Sequence, residues 1–180
     1  KHGAYKLPTG HHNDTSWMER DGMMPNNRPD NPYLEAFWEY FPECYPELQT
    51  FRMTGGEPLM DKNTFKIFDY VKNNPSPKLQ LSITSNCNPP KQELWDNFMT
   101  DLKDITDRKA IDHFMLFCSL DSWGHQAEYI RSGLHFPTLE KNIRTYLTQN
   151  EMHSLTFIAT MNIFSLPGVG NVGKAAIDAL

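Results

Sequence analysis

One pattern constrains the fold of this chain more than any other feature: a strand-like run, a polar or glycine-containing corner, and then a helix-like segment. The pattern occurs four times, and its strand-like runs cover residues 48–54, 78–84, 113–121 and 154–164. Apolar and polar residues alternate in the second run, as in a strand, whereas Phe65, Phe68 and Val71 recur at helical spacing. Strands that alternate with helices predict a parallel sheet in an α/β fold, either open or closed into a barrel.

Apolar residues three and four positions apart mark the helices that follow these strands. The third helix is predicted to begin at an N-cap, Thr138, and the fourth to begin at Gly173. A further helix is predicted from Tyr33 to near Pro42, ahead of the first strand. The run at 113–121 is almost continuously apolar, as expected of a strand that is covered on both faces.

Length and composition indicate a globular domain, with 180 residues of which 39% are hydrophobic and 12% aromatic. Residues 1–32 are rich in Gly, Pro, Asn, Asp and His and are predicted to form an irregular arm, which leaves 33–180 for the α/β domain. No window approaches the roughly 20 apolar residues of a membrane span and no signal peptide is visible, so we expect a cytoplasmic protein without a membrane partner. The net charge of −5, without a cluster of Lys and Arg, argues against nucleic acid as a ligand.

The three cysteines, Cys44, Cys87 and Cys118, form no CxxC pair, and their odd number leaves one outside any disulfide. This usage favours a reducing compartment. Cys118 lies in a predicted strand and is expected in the core, whereas Cys87 follows a strand end and is a candidate neighbour of a site there. No metal site is predicted in the arm, because adjacent histidines in such segments are usually solvated; the residues considered are His11, His12 and Asp14.

Polar residues or glycines follow each predicted strand. In parallel α/β folds, binding and catalysis gather at the carboxyl ends of the strands, where the loops begin. We therefore expect a site at this edge of the sheet. Its candidate residues are Gly55, Gly56, Glu57, Pro58, Asn86, Ser119, Asp121 and Asn162.

The corner after the first strand, "TGGEPLM", carries the most specific signal. Paired glycines let the backbone turn sharply and approach a ligand closely, so that their carbonyls and amides can bind it. Glu57 adds a negative charge and Pro58 stiffens the turn, a combination that suits a ligand with an ammonium group. The alternative is a plain strand-to-helix turn whose acid lies near a helix start, where the helix dipole favours it.

"TGGEPLM" resembles the GGEP motif of the radical S-adenosylmethionine (SAM) enzymes, in which this corner binds the amino group of the methionine moiety. "ITSNCN" is similar to the Thr-Asn-Gly end of the next strand in that family, although Ser85 intervenes and Cys87 stands where glycine is usual. "CSLDSWGHQAEYIRSG" resembles a Ser-x-Asp segment followed by Ile-Arg-x-Gly, which implies that Ser119 contacts the ribose and Arg131 the carboxylate of SAM. Asn162 in "TMNIF" is similar to an asparagine of the peptide-modifying branches with SPASM or twitch extensions.

The resemblance covers roughly residues 48–164 and implies a specific chemistry. A [4Fe-4S] cluster, reduced by an electron donor, would cleave SAM to a 5'-deoxyadenosyl radical that takes a hydrogen atom from a substrate, with a peptide or protein as one candidate. The implied fold is a partial (β/α)6 TIM-like barrel that is incomplete at both ends. Residues 33–180 would form its central part.

The chain departs from this family at the cluster. Three cysteines in a CxxxCxxC loop hold the cluster, and the sequence contains no such loop. We therefore expect a fragment whose cluster ligands lie upstream of Lys1 and which is inactive alone.

Two other functions are compatible with the sequence. The first is a cluster-free α/β module that binds SAM or serves as a scaffold. The second is a nucleotide-binding oxidoreductase, because Gly168, Gly170 and Gly173 match the GxGxxG dinucleotide motif between a predicted strand and a predicted helix. A plain loop is the simpler interpretation of those glycines.

Overall fold

A computed structural model describes residues 16–22, 31–149 and 153–178 of the chain. The chain divides into two compact units, Lys1–Tyr45 and Pro46–Leu180. The second unit contains a parallel sheet whose four strands lie in sequential order: β1 (Thr50–Met53), β2 (Ser76–Ser85), β3 (Ile111–Ser119) and β4 (His153–Ile158). The prediction of a parallel α/β sheet is thereby confirmed.

Helices alternate with these strands. The first unit contains α1 (Ser16–Arg20) and α2 (Pro32–Cys44). The second unit contains α3 (Lys62–Asn73), α4 (Gln92–Asp107), α5 (His125–Ile130), α6 (Phe136–Leu147) and α7 (Leu166–Asp178). Among the described residues, no helix is both long enough and apolar enough to span a bilayer.

One face of the sheet carries the core, and Phe114 of β3 lies at its centre. The Phe114 side chain is fully buried, and its ring centroid lies 6.2 Å from that of Phe68 in α3 and 5.8 Å from that of Phe98 in α4. Tyr146 of α6 lies 6.5 Å from the same ring, and its hydroxyl donates a hydrogen bond to the Ser154 carbonyl at 3.0 Å. Helices α3, α4 and α6 therefore all pack on the same face of the sheet.

The opposite side of the sheet, here called the open face, is largely half-buried or exposed. Strand alternation and register place on it Thr50, Arg52, Gln80, Ser82, Thr84, His113, Met115, Phe117, Ser119, Ser154, Thr156 and Ile158. The prediction that β3 is covered on both faces is wrong, because Phe114 and Leu116 are buried whereas Met115 and Phe117 are half-buried. The nearly continuous apolar run of β3 therefore does not mean that both of its faces are buried.

The first unit differs from its prediction in two places. Residues 16–20, within the predicted irregular arm, form the short helix α1, and α2 continues past Pro42 to Cys44. The helix continues past Pro42 because a backbone carbonyl in its last turn keeps hydrogen-bond donors. The Tyr45 backbone N–H and the Cys44 thiol both donate to the Phe41 carbonyl. The histidines and the aspartate considered as metal ligands, His11, His12 and Asp14, lie outside the described residues.

Helix α6 begins three residues earlier than the sequence indicated. Its N-cap is His135 and not Thr138, because Pro137 occupies the first turn, where its missing N–H costs nothing. The Phe136 N–H, which also lies in that turn, donates to Glu128 Oε1 at 2.8 Å. Thr138 is inside the helix, with its hydroxyl 2.8 Å from His135 Nδ1.

Strand β4 ends at Ile158, six residues before the predicted end. Beyond it the chain turns, because the Thr160 N–H donates to Asp121 Oδ1 at 2.8 Å instead of continuing the ladder. Asn162 therefore lies in a loop and not at the end of a strand. Its Oδ1 accepts hydrogen bonds from the backbone N–H groups of Phe164 (2.8 Å) and Ser165 (3.1 Å), just ahead of α7.

The GxGxxG segment is helical. Gly168, Gly170 and Gly173 all lie inside α7, so both earlier interpretations, a loop and a dinucleotide-binding turn, are wrong. A dinucleotide turn places its first glycine directly after a strand, whereas α7 begins at Leu166, well beyond the end of β4. Gly168 instead permits close packing, since a Cβ there would lie 1.9 Å from Ser122 Oγ.

Replacement by alanine is expected to change the free energy of unfolding in opposite directions at Gly170 and Gly168. Gly170 has no atom within 4 Å of an added Cβ, so Gly170→Ala should raise the free energy of unfolding by about 0.5–1 kcal/mol through helix propensity. Gly168→Ala should lower it, because the added methyl meets Ser122. Urea denaturation of both variants measures the difference. Destabilisation by both would contradict the helical assignment of this segment.

Candidate functional site

The corner after β1 has a backbone that requires glycine. Gly55 has φ +94° and Gly56 has φ +52°, both in the left-handed region that residues with a Cβ rarely adopt. No heavy atom lies within 4 Å of the position of an added Cβ at either residue. The corner is thus bare on its outer side, which leaves its peptide groups accessible to a ligand.

The Glu57 carboxylate joins this corner to the end of β2. Oε1 accepts a hydrogen bond from the Ser85 hydroxyl at 2.7 Å, and Oε2 accepts one from the Asn86 backbone N–H at 2.9 Å. The carboxylate also caps a short 3₁₀ turn, Pro58–Met60, through the Leu59 N–H. Pro58 is buried in that turn. The negative charge is therefore held in one place and is half-exposed.

The loop after β2 supports this arrangement through its backbone. The Asn86 side chain accepts from the Asn88 N–H at 2.8 Å and closes a local turn, so Asn86 contacts Glu57 through its main chain. Cys87 has φ +54°, the conformation that glycine adopts without steric cost, at the position where the resembled motif usually has glycine. Its backbone N–H lies 3.0 Å from Ser85 Oγ, next to the Glu57 carboxylate.

Two cysteines of the second unit are buried thiols. Cys118 is fully buried in β3, which confirms its predicted place in the core. Burial, with Cys118 and Glu57 nearby, raises the pKa of the Cys87 thiol well above its usual value. A thiol in this state is a poor nucleophile and a poor metal ligand, because both roles require the thiolate.

Asp121, buried just beyond the end of β3, organises the other half of the edge. Its Oδ2 accepts from Arg131 Nε at 2.8 Å, and its Oδ1 accepts from the Thr160 N–H at 2.8 Å. Burial by itself would raise the pKa of Asp121, but the hydrogen bonds from Arg131 and Thr160 outweigh it and lower the pKa below its ordinary value. Arg131 is about one-third exposed, so its guanidinium is fixed by one nitrogen and still meets solvent.

The predicted residues separate into two connected groups. Glu57 with the Ser85–Asn86 end forms the first group, and Asp121 with Arg131 forms the second. The loops that carry them meet where Asn88 Nδ2 donates to the Gly133 carbonyl at 3.3 Å. Ser119 lies at the end of β3 on the open face, half-buried. Asn162 belongs to neither group, because its side chain caps the turn before α7.

Three residues with structural roles at this edge were given no role by sequence reasoning: Arg52, Ser85 and Thr160. Ser85 is visible in the sequence as part of the polar end of the second strand, residues 84–86, but its partner is not. Its partner Glu57 is 28 positions away, and only the parallel pairing of β1 with β2 brings the two together. Thr160 contributes a backbone N–H, for which no side-chain signal exists.

A cleft of about 530 Å³ opens next to these loops. Its walls come from the 3₁₀ turn after the glycine corner, the loop after β2 and the loop before α6. They are lined by Met60, Asn88, Pro89, Pro90, Gln92, Gly133, His135 and Thr138. The same loops thus carry both the hydrogen bonds of the edge and a concave surface.

No protein-family model, curated protein or solved structure matches this chain. Its function is therefore inferred from the chemistry of the site. Within residues 16–22, 31–149 and 153–178, no three His, Cys, Asp or Glu side chains are grouped so that they could hold a metal ion. The described residues therefore supply no ligand set for a [4Fe-4S] cluster.

Proposed function

We propose that the carboxyl edge of the sheet binds S-adenosylmethionine, with the Gly55–Gly56 corner and Glu57 on its ammonium group. One observation carries this proposal: two consecutive left-handed glycines, open on their outer side, lie next to a carboxylate that is fixed by Ser85 and Asn86. Bare peptide carbonyls and a fixed negative charge together satisfy the N–H donors of an ammonium ion.

The second group of the edge complements the first. Arg131 is held through Nε by Asp121, which leaves its terminal N–H groups to pair with the carboxylate of the methionine moiety. Opposite charges on the protein then meet both ends of the zwitterion. Ser119, on the open face at the end of β3, supplies a hydroxyl that suits the ribose.

The winding of the sheet supports a partial (β/α)6 barrel. A doubly wound sheet reverses its strand order and carries helices on both faces, whereas these four strands are sequential and α3, α4 and α6 pack on one face. All-parallel sheets are normally covered on both faces. In the proposed barrel, the open face is the inner wall.

SAM binding is common to a radical SAM enzyme and to a cluster-free SAM-binding module. The described residues supply this shared step, and we derive no reaction step through a cluster from them. The family resemblance alone implies the rest of the chemistry: cleavage of SAM to a 5'-deoxyadenosyl radical, an electron donor and a peptide or protein substrate. The chain's own contribution is to bind and orient the cofactor.

Replacing Glu57 with glutamine is expected to weaken SAM binding by roughly 10- to 150-fold. This range corresponds to the loss of a charge-assisted hydrogen bond, about 1.5–3 kcal/mol. Glutamine keeps an oxygen that can accept from Ser85 or Asn86, so the corner should keep its shape. Isothermal titration calorimetry with SAM measures the change.

Glu47→Gln is the matched control for this experiment. The Glu47 side chain is 88% exposed and lies 3.8 Å from Lys78, away from the glycine corner. It should leave SAM affinity unchanged. Unchanged affinity in Glu57→Gln, or an equal loss in both variants, would contradict the proposed role of the corner.

A further inference from the structure

Arg52 is a fixed cation on the open face of the sheet. It lies in β1, and its Nη2 donates to the Thr84 hydroxyl at 3.1 Å. The guanidinium carbon lies 4.0 Å from the centroid of the Phe117 ring, within the range of a cation–π contact. These two contacts, from β2 and β3, hold the side chain across three strands.

The charge of Arg52 has no counter-charge in the described part of the chain. Arg52 takes part in none of the ion pairs found there, and Thr84 is its hydrogen-bond partner. The residues of the open face include no Asp or Glu, although the whole chain has a net charge of −5. His113 on the same face lies 2.8 Å from Ser154 Oγ, so its ring is already engaged with the protein.

We propose that Arg52 binds the carboxylate of a small substrate on the open face. A guanidinium has five N–H donors in a planar fork that matches a carboxylate, and Thr84 takes one of them. Among the described open-face residues, Arg52 is the one fixed cation without a carboxylate partner, because Lys78 of β2 pairs with Glu47. A single free cation matches a monoanion better than a phosphate dianion. Met115 and Ile158 lie on the same face and offer apolar contact to the rest of the substrate.

This site is distinct from the cofactor site proposed above and does not depend on it. The hydrogen-bond partners of Arg52 and of the cofactor site differ. Glu57 is bound by Ser85, Asn86 and Leu59, and Arg131 by Asp121, whereas Arg52 is bound by Thr84. The two sites are nevertheless close along the sheet, because Thr84 directly precedes Ser85. An anion on Arg52 would therefore lie on the open face near the end of β2.

Titration with sodium benzoate, followed by NMR on the Arg52 side-chain Nε–Hε signal at constant ionic strength, tests the proposal. We expect a saturable shift with a dissociation constant in the millimolar range. Arg52→Gln should weaken the binding, read from the Phe117 amide, by at least about tenfold, as expected for loss of a bidentate charged pair. Arg52→Lys should retain part of the affinity.

Arg108→Gln is the matched control, because Arg108 is exposed and paired with Asp104 on α4. It should bind benzoate like the wild-type protein, and circular dichroism checks that each variant is folded. The shift of the Arg52 Nε–Hε signal is measured in the wild-type protein, so this readout does not depend on the folding of any variant. A linear, non-saturating shift, or equal benzoate affinity in Arg52→Gln, would overturn the proposal.

Two further titrations identify the anion and its source. Inorganic phosphate should bind more weakly than benzoate, and tighter phosphate binding would overturn the carboxylate assignment. The benzoate shift should persist at saturating SAM, whereas its loss would show that Arg52 serves the cofactor's own carboxylate and would overturn a separate substrate site. If SAM does not bind, a saturable benzoate shift still supports the Arg52 site alone.

Discussion

Replacing Phe114 with alanine is expected to lower the free energy of unfolding by about 3–5 kcal/mol. The side chain is fully buried and contacts the rings of Phe68, Phe98 and Tyr146. Each ring belongs to a different helix, so the cavity left by alanine cannot be closed by moving one element. Urea denaturation of the wild-type and variant proteins, monitored by far-UV circular dichroism, measures the loss.

Phe164→Ala provides the matched control for the Phe114 variant. Phe164 lies in the loop between β4 and α7 and is 55% exposed, and its ring centroid lies 6.1 Å from that of Tyr129 in α5. Its replacement should change the free energy of unfolding by no more than about 0.5 kcal/mol. A loss below about 1 kcal/mol for Phe114→Ala would contradict the account in which three helices share one face of the sheet through this residue.

Asp121→Ala is expected to lower the free energy of unfolding by about 3 kcal/mol. The estimate lies at the low end for breaking a buried ion pair, because Arg131 is still about one-third exposed and can be partly hydrated. The Thr160 N–H also loses its acceptor. Asp121→Asn should cost less, about 1–2 kcal/mol, since its amide oxygen can still accept from Thr160.

The pH dependence of stability provides an independent test of this ion pair. The pKa of Asp121 lies below its ordinary value of 3.8 in the folded protein, so folding favours the charged form. The stabilisation is fully present above the unfolded pKa and is lost as the pH falls through 3.8 toward the lower folded pKa. Wild-type stability should therefore fall more steeply than that of Asp121→Asn as the pH is lowered from about 5 to 3.

Parallel pH profiles for the wild-type protein and Asp121→Asn would show that the carboxylate is not held by Arg131. Glu140→Gln gives a useful comparison, since Glu140 forms an ion pair with Arg144 within helix α6. Exposed pairs of this kind contribute little to stability. We expect the Glu140 variant to follow the wild-type profile.

Periodicity in the sequence was sufficient to predict the alternating strands and helices. Leu79, Leu81 and Ile83 alternate in the sequence, and all three are fully buried in β2. The same signal misled at the end of β4, because Met161 and Phe164 are apolar yet lie exposed in a loop. Apolar residues predict burial only where the backbone continues a regular element, and the hydrogen bond from Thr160 to Asp121 ends that element.

Sequence motifs predicted the conformation of one glycine segment correctly and that of another incorrectly. The glycine corner at residues 55–56 was identified because left-handed backbone is a local property of glycine. The glycines at 168, 170 and 173 fit a turn motif equally well, yet they lie inside α7, where Gly168 packs closely on Ser122. The partners of Glu57 and Arg52 could not be read from spacing, because strand pairing brings them together over long separations in the chain.

The most direct test of SAM binding at the glycine corner is NMR on protein labelled with ¹⁵N-glycine. The chain has ten glycines, so the spectrum has few signals, each assignable by replacement of single glycines. We predict that saturating SAM shifts the Gly55 and Gly56 amides and leaves those of Gly168, Gly170 and Gly173 unchanged. A spectrum in which Gly55 and Gly56 do not move, or in which the helical glycines alone respond, would contradict the proposed cofactor site.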